Sequence, residues 1–223
     1  MNTTNSTVIS VNTGERRTTF LAPGEMRCHF CQLISVLREK GVPAEIVGLF
    51  KVQQETVLNE ASKIPLEKGE IPFLMGIPRE CLNAEEQARI FGISLSPSFK
   101  DLLSLECREF YGSLDIPRRP YFFFGVKNGN ENISRPWNMN CDFKEKEIKA
   151  LSVEELFSLW VQTRVLIHHF IFASPQEPPW DGDLMVPGLS LYGNGEVWLE
   201  FYSTKIGYPK WGTPSCRFRK SFL

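Results

Sequence analysis

Apolar residues in the first half of the chain recur at the spacing of helices. Between Glu25 and Lys40 they fall three and four positions apart, on one helical face: Phe30, Leu33, Ile34 and Leu37. Gly41 ends this pattern, because glycine is the common residue just after a helix. A second helical stretch covers about residues 43–62, although Gly48 weakens the prediction that it is a single helix.

Capping signals predict further helices. Asn83 and Glu86 have the spacing of a capping box, and so do Ser152 and Glu155. Each pair precedes residues that repeat on one helical face. Residues 96–110 also carry apolar side chains at helical spacing, which predicts one more helix between the two capped ones.

Short apolar runs bounded by glycine and proline predict strands. Residues 71–77 and the run YFFFGV are of this kind, and GLSLYGNGEVWLEFY is typical of two strands around the turn Gly193-Asn194-Gly195. Strands do not alternate regularly with helices. The order therefore predicts an α+β fold, with a helical first half packed on a mainly antiparallel sheet contributed largely by the second half.

The chain of 223 residues suits one sizeable domain, and 42% hydrophobic residues are enough for a real core. Residues 1–22 are rich in threonine, asparagine and serine and show no sustained period. We therefore expect a disordered N-terminal arm over residues 1–22 and a single α+β domain over residues 23–223.

Charge and hydropathy narrow the choice of partners and compartment. The net charge is −1, whereas a dedicated nucleic-acid binder usually carries a basic excess. Only the C-terminal end is locally basic, with Arg217, Arg219 and Lys220. We interpret it as a solvated C-terminus rather than a phosphate-binding site. No apolar run approaches the ~20 residues of a membrane span, and the N-terminus has no apolar signal core. We expect a cytoplasmic protein that binds neither nucleic acid nor membrane.

Cys28 and Cys31 have the C-x-x-C spacing, with His29 between them. A structural zinc site needs a second ligand pair, which the sequence does not offer at a suitable spacing. A thioredoxin-type site follows a strand, and the residues before Cys28 are a poor strand. We favour ordinary helix residues over a metal or a redox site, and we predict no metal and no cofactor.

Candidate catalytic groups lie late in the chain. His168 and His169 are adjacent, and one of them could act as a general base, although a packing histidine explains the same letters. Asp183 follows Asp181 at a spacing that could hold a hard cation, but an Asp-Gly turn accounts for that spacing as well. Cys216 is the candidate thiol.

Aromatic residues on loops rich in glycine and proline are candidates for ligand binding. They are Trp180, Tyr208 and Trp211. Such residues can line a cleft for a small molecule or a peptide, and they can equally close the edge of the core.

Three segments of the second half match the pattern of a known family. They are RRPYFFFGVKNGNENISRPW, LSVEELFSLWVQTRVLIHHFIFASP and GDLMVPGLSLYGNGEVWLEFYSTKIGYPKWGTPSC. In these segments the chain resembles an uncharacterised bacterial family, family 5701 of the domains of unknown function, most strongly over residues 117–218. The residues on matching letters are Asp183, Val186, Pro187, Trp211, Gly212, Ser215 and Cys216. The resemblance implies a bacterial origin and one continuous fold, but no mechanism, since that family has no established activity.

Two hypotheses about function follow. The chain has no nucleophile elbow, phosphate loop, dinucleotide fingerprint or H-E-x-x-H motif, which favours a non-catalytic module that binds an unknown protein or small molecule through aromatic C-terminal loops. The alternative is a hydrolase-like enzyme with a site around Asp183, His168 or His169, and Cys216. The sequence leaves open whether the protein is an enzyme.

Overall fold

The structure is a computed structural model that describes residues 10–13, 16–97, 116–130, 149–164, 170–172, 185–203 and 211–223. These residues form five helices and twelve strands. The helices are α1 (Pro23–Glu39), α2 (Ala44–Lys51), α3 (Gln54–Ala61), α4 (Ala84–Phe91) and α5 (Val153–Thr163).

The strands are short, and most of them lie in the second half of the chain. They are β1 (Ser10–Thr13), β2 (Arg16–Thr19), β3 (Ile71–Gly76), β4 (Ile93–Leu95), β5 (Tyr121–Val126), β6 (Lys149–Ala150), β7 (Phe170–Phe172), β8 (Met185–Leu191), β9 (Val197–Ser203), β10 (Trp211–Gly212), β11 (Ser215–Cys216) and β12 (Phe218–Lys220). Two of the strand pairings, β10 with β7 and β4 with β9, are parallel, and the others are antiparallel. The predicted α+β class is confirmed.

The helix predictions based on capping are confirmed by hydrogen bonds. The side chain of Asn83 accepts from the backbone N–H of Glu86 at the start of α4, and Ser152 accepts from Glu155 in the same way at the start of α5. The stretch predicted over residues 43–62 is two helices, α2 and α3. The break lies at residues 52–53, four residues after Gly48. The helix predicted over residues 96–110 lies almost entirely outside the described residues.

The main core lies on a three-stranded antiparallel sheet in the order β12-β5-β3. β5 is its central strand, and all six of its residues are buried. Phe122 of β5 packs against Phe30 of α1 and Phe50 of α2, with ring centroids 6.1 and 5.5 Å apart. The C-terminal strand β12 is therefore part of the core sheet, bound along β5.

The free edge of β3 is covered by side chains from two helices. Gln162 of α5 donates to the carbonyl oxygen of Met75 at 2.8 Å and accepts from its N–H at 3.0 Å. His29 of α1 lies 2.8 Å from the carbonyl oxygen of Phe73, and donates to it through Nε2. These bonds satisfy backbone groups that an edge strand would otherwise leave without protein partners.

A five-stranded sheet in the order β10-β7-β8-β9-β4 forms the second layer. α4 packs against both β4 and α5, and α5 packs against β3. The two helices thus connect this sheet to the three-stranded one. The long hairpin β8–β9 lies at the centre of the five-stranded sheet, with Leu189 paired to Leu199.

The described part of the predicted N-terminal arm is a two-stranded hairpin, β1–β2. Its last residue, Thr19, exchanges two backbone hydrogen bonds with Leu66, at 2.8 and 3.0 Å. α1 then begins at Pro23, next to the predicted domain boundary. The N-terminal arm over residues 1–22 and the single domain over residues 23–223 stay predictions. The segment that was expected to be disordered contains the hairpin β1–β2.

Candidate functional site

The hairpin β8–β9 has one buried and one partly exposed face, because successive side chains of a strand point to opposite sides. Leu189, Val197 and Leu199 face the core and are at most 3% exposed. The other face carries Trp198, Glu200 and Tyr202 along β9. We call this second surface the outer hairpin face and define it as Ser190, Tyr192, Glu196, Trp198, Glu200 and Tyr202.

Glu200 organises the polar part of the outer hairpin face. Its Oε2 atom accepts a hydrogen bond from the hydroxyl of Tyr192 at 2.9 Å and from that of Tyr202 at 2.6 Å. The hydroxyls of Tyr202 and Ser190 are also hydrogen-bonded to each other. Burial and the bond to Glu200 raise the pKa of Tyr202, and the bond to Glu200 raises that of Tyr192. Both phenols are therefore protonated donors at neutral pH.

A second carboxylate orients the indole of Trp198. Its Nε1–H donates to Oε2 of Glu196 at 3.1 Å, and the backbone N–H of Glu196 donates to the side chain of Asn194 at 3.0 Å. Hydrogen bonds from the side chains of Trp198 and Asn194 to the carboxylate lower the pKa of Glu196, so this exposed carboxylate stays charged. The rings of Trp198 and Tyr192 meet edge to face, with centroids 6.2 Å apart and planes at 66°.

The charge of the hairpin is of one sign. Between Met185 and Ser203 the sequence holds two glutamates and no lysine, arginine or histidine. Tyr192 is 47% exposed, which places it among the few large hydrophobic side chains on the described surface. Fixed aromatic rings beside carboxylates can stack on a planar or apolar group and can attract a cation.

The other glutamate–tyrosine cluster is closed to solvent. Glu155 receives a forked pair of hydrogen bonds from Arg219, at 2.5 and 2.7 Å, and accepts from the hydroxyl of Tyr121 at 3.1 Å and from the N–H of Ser152 at 2.8 Å. The side chains of Glu155 and Arg219 are 0% and 1% exposed. We call Glu155, Arg219, Tyr121 and Ser152 the buried cluster, and no ligand can reach it without unfolding the core.

The C-terminal cations are paired rather than free in solvent. Arg219 lies in the buried cluster, Arg217 donates to Glu70 at 2.5 Å and Lys220 to Glu60 at 2.9 Å. The interpretation of these residues as a solvated C-terminus is therefore wrong for Arg219. The reason is that β12 adds to the core sheet and carries the guanidinium under α5.

Most of the predicted site residues lie outside the described residues. This holds for His168, His169, Trp180, Asp183 and Tyr208. The backbone of Trp211, in β10, pairs with Phe170, the residue that follows the two histidines in the sequence. The proposed convergence of Asp183 with a histidine stays a prediction.

Cys216 is the one predicted catalytic residue whose side chain the structure describes. It is fully buried in β11, and burial raises its pKa to about 12. A thiol with this pKa is protonated at neutral pH and is a poor nucleophile. The burial and the raised pKa of Cys216 therefore weigh against its role as a nucleophile in the hydrolase-like hypothesis.

The C-x-x-C pair lies within α1, as the sequence favours. Cys28 and Cys31 are exposed, whereas His29 turns toward β3, and burial lowers its pKa. The histidine between the two cysteines thus forms a hydrogen bond to the edge strand β3. Among the described residues, no three histidine, cysteine, aspartate or glutamate side chains come close enough to hold a metal ion.

Sequence reasoning found the hairpin but missed its outer face. The signal was present in VWLEFY, where Trp198, Glu200 and Tyr202 alternate with apolar residues at the period of a strand. The predicted ligand-binding residues were instead Trp180, Tyr208 and Trp211, on loops rich in glycine and proline.

The chain has no match among family models, among curated proteins or among solved structures. The resemblance to a family of unknown function therefore stays a prediction. None of the described helices combines the length and the apolar character that crossing a membrane requires.

Proposed function

We propose that this protein is a non-catalytic cytoplasmic binding module and that the outer hairpin face is its binding surface. The observation that carries the proposal is the set of three aromatic rings held by two carboxylates, with Tyr192 exposed and Trp198 and Tyr202 partly exposed. Tyrosine and tryptophan are enriched where proteins bind partners, because they offer a large contact area for little conformational entropy.

The hydrogen bonds of the outer hairpin face favour recognition over catalysis. Glu200 accepts from two tyrosines whose raised pKa values keep them protonated, so these phenols do not act as bases at neutral pH. Their bonds instead fix the rings before a ligand arrives. A preorganised surface loses less side-chain entropy on binding, which supports a role in recognition.

The same rings also stabilise the hairpin, and a test has to separate the two roles. An aromatic cross-strand pair such as Tyr192 with Trp198 contributes about 0.2–1 kcal/mol to a sheet. A variant that lacks the indole should therefore fold with a slightly lower stability. Loss of binding in a folded variant is then the informative result.

The experiment compares Trp198→Ala with Val52→Ala, which removes apolar surface outside the outer hairpin face, at the corner between α2 and α3, where Val52 is 74% exposed. Thermal shift is measured with hexa-arginine, hexaglutamate and maltohexaose as probes. A ligand at a hundredfold excess over its Kd stabilises the folded state by about 2.7 kcal/mol. We expect at least one probe to stabilise the wild type and Val52→Ala but not Trp198→Ala. The proposal is wrong if no probe binds, or if binding survives in Trp198→Ala.

A further inference from the structure

Resting on the proposed function, we infer that the ligand of the outer hairpin face is an arginine side chain presented by a partner peptide. The buried cluster is the internal model for this inference. There a glutamate accepts from a tyrosine hydroxyl and is completed by the forked guanidinium of Arg219.

The outer hairpin face repeats that arrangement, but no cation from the described residues completes it. Oε2 of Glu200 accepts from Tyr192 and Tyr202, as Oε1 of Glu155 accepts from Tyr121. Within the described part of the chain, neither Glu200 nor Glu196 forms an ion pair. A guanidinium from another molecule would supply the missing partner.

The aromatic rings fit the same ligand. The ring planes of Trp198 and Tyr192 stand at 66° to each other and form two walls of a corner. The indole Nε1–H donates to the carboxylate of Glu196, and the hydroxyl of Tyr192 donates to that of Glu200. A guanidinium stacks on such rings through cation–π attraction. The chain already contains one such contact, since the guanidinium carbon of Arg164 lies 5.2 Å from the ring centroid of Trp160.

Charge and shape distinguish arginine from other ligands. Two carboxylates and no cation between Met185 and Ser203 repel an acidic peptide and give a neutral sugar no electrostatic gain. Lysine has the right charge, but its ammonium is a point charge without the planar fork that stacks and binds a carboxylate at two points. Arginine satisfies the rings and the carboxylates together.

The test measures the Kd of a fluorescently labelled hexa-arginine peptide by anisotropy. It uses about 150 mM salt, where the Debye length of ~8 Å suppresses long-range attraction. We expect Trp198→Ala and Glu200→Gln each to weaken binding about tenfold or more, because each removes a cation–π or a charge-assisted contact. The matched control is Glu85→Gln, which removes an equal charge from an exposed position of α4 and should change Kd less than about twofold. Circular dichroism checks that every variant is folded.

Three other probes, namely hexacitrulline, hexaglutamate and maltohexaose, distinguish a failure of this inference from a failure of the proposed function. Hexacitrulline, which keeps the planar group but lacks the charge, should bind at least about tenfold more weakly than hexa-arginine. Binding of maltohexaose or hexaglutamate that depends on Trp198, with none of hexa-arginine, would overturn the inference and leave the proposed function standing. Equal losses in Glu85→Gln and Glu200→Gln would overturn the inference as well. If no probe depends on Trp198, both fall.

Discussion

Glu155 and Glu200 both accept hydrogen bonds from tyrosine hydroxyls, yet their surroundings are opposite. Glu155 is completely buried and is held by Arg219, whereas Glu200 lies on a partly exposed strand face near Trp198. A carboxylate in the core must be paired, because removing a charge from water costs several kcal/mol without a partner. A carboxylate on the surface keeps its water and stays available to a ligand.

The difference separates the groups that hold the fold from the groups that are free to bind. In the buried cluster, Glu155 caps α5 through Ser152 and fixes β12 through Arg219, so one side chain connects a helix start to the C-terminal strand. On the outer hairpin face, the two tyrosines position the carboxylate and the rings of one hairpin only. We therefore expect mutations in the first cluster to change stability and mutations in the second to change binding.

The largest expected effect comes from Arg219→Met. The substitution leaves the charge of Glu155 buried and unpaired, and breaking such a pair costs about 3–5 kcal/mol. Urea unfolding measures the loss. The control is Lys220→Met on the same strand, where a half-exposed lysine pairs with Glu60 and the cost is about 1 kcal/mol or less. Similar losses in the two variants would contradict the role given to burial.

A smaller effect is expected from Gly76→Ala, which disturbs the tyrosine of the buried cluster. A Cβ atom at Gly76 would lie 2.6 Å from Cε2 and 2.8 Å from Cε1 of Tyr121. Overpacking of this kind costs about 1–3 kcal/mol. Gly48→Ala is the matched control, because nothing lies within 4 Å of its Cβ position inside α2 and alanine is favoured over glycine there by up to about 1 kcal/mol.

The two glycine variants should shift the urea midpoint in opposite directions. A gain in stability from Gly76→Ala would contradict this account, because it would show that the position of the Tyr121 ring does not require a residue without a Cβ atom at position 76.

Local signals in the sequence predicted the fold further than they predicted its polar clusters. The capping boxes at Asn83 and Ser152 were found because both partners lie within four residues. The bond of Glu155 to Arg219 joins residues 64 positions apart, and no local pattern indicates it. The break before α3 is also non-local, since Gln53 there donates to Pro120 and accepts from the N–H of Phe222.

The candidate site was predicted only in part. The second half of the chain and its aromatic residues were expected to bind, and the hairpin around Gly193-Asn194-Gly195 was placed correctly. The outer hairpin face was missed, although Trp198, Glu200 and Tyr202 alternate with apolar residues at the period of a strand. What no local pattern indicates is the bond from Tyr192 to Glu200, which joins residues eight positions apart across the turn.

The most direct test of the comparison is the free energy of unfolding of Glu155→Gln beside that of Glu200→Gln. Each substitution removes one negative charge and keeps the size of the side chain. We predict a loss of about 3–5 kcal/mol for Glu155→Gln, because Arg219 is then buried without its partner charge. For Glu200→Gln we predict a loss below about 1 kcal/mol, because this carboxylate keeps contact with water and forms no ion pair with a described residue. Equal losses, or a larger loss for Glu200→Gln, would contradict the assignment of stability to one cluster and binding to the other.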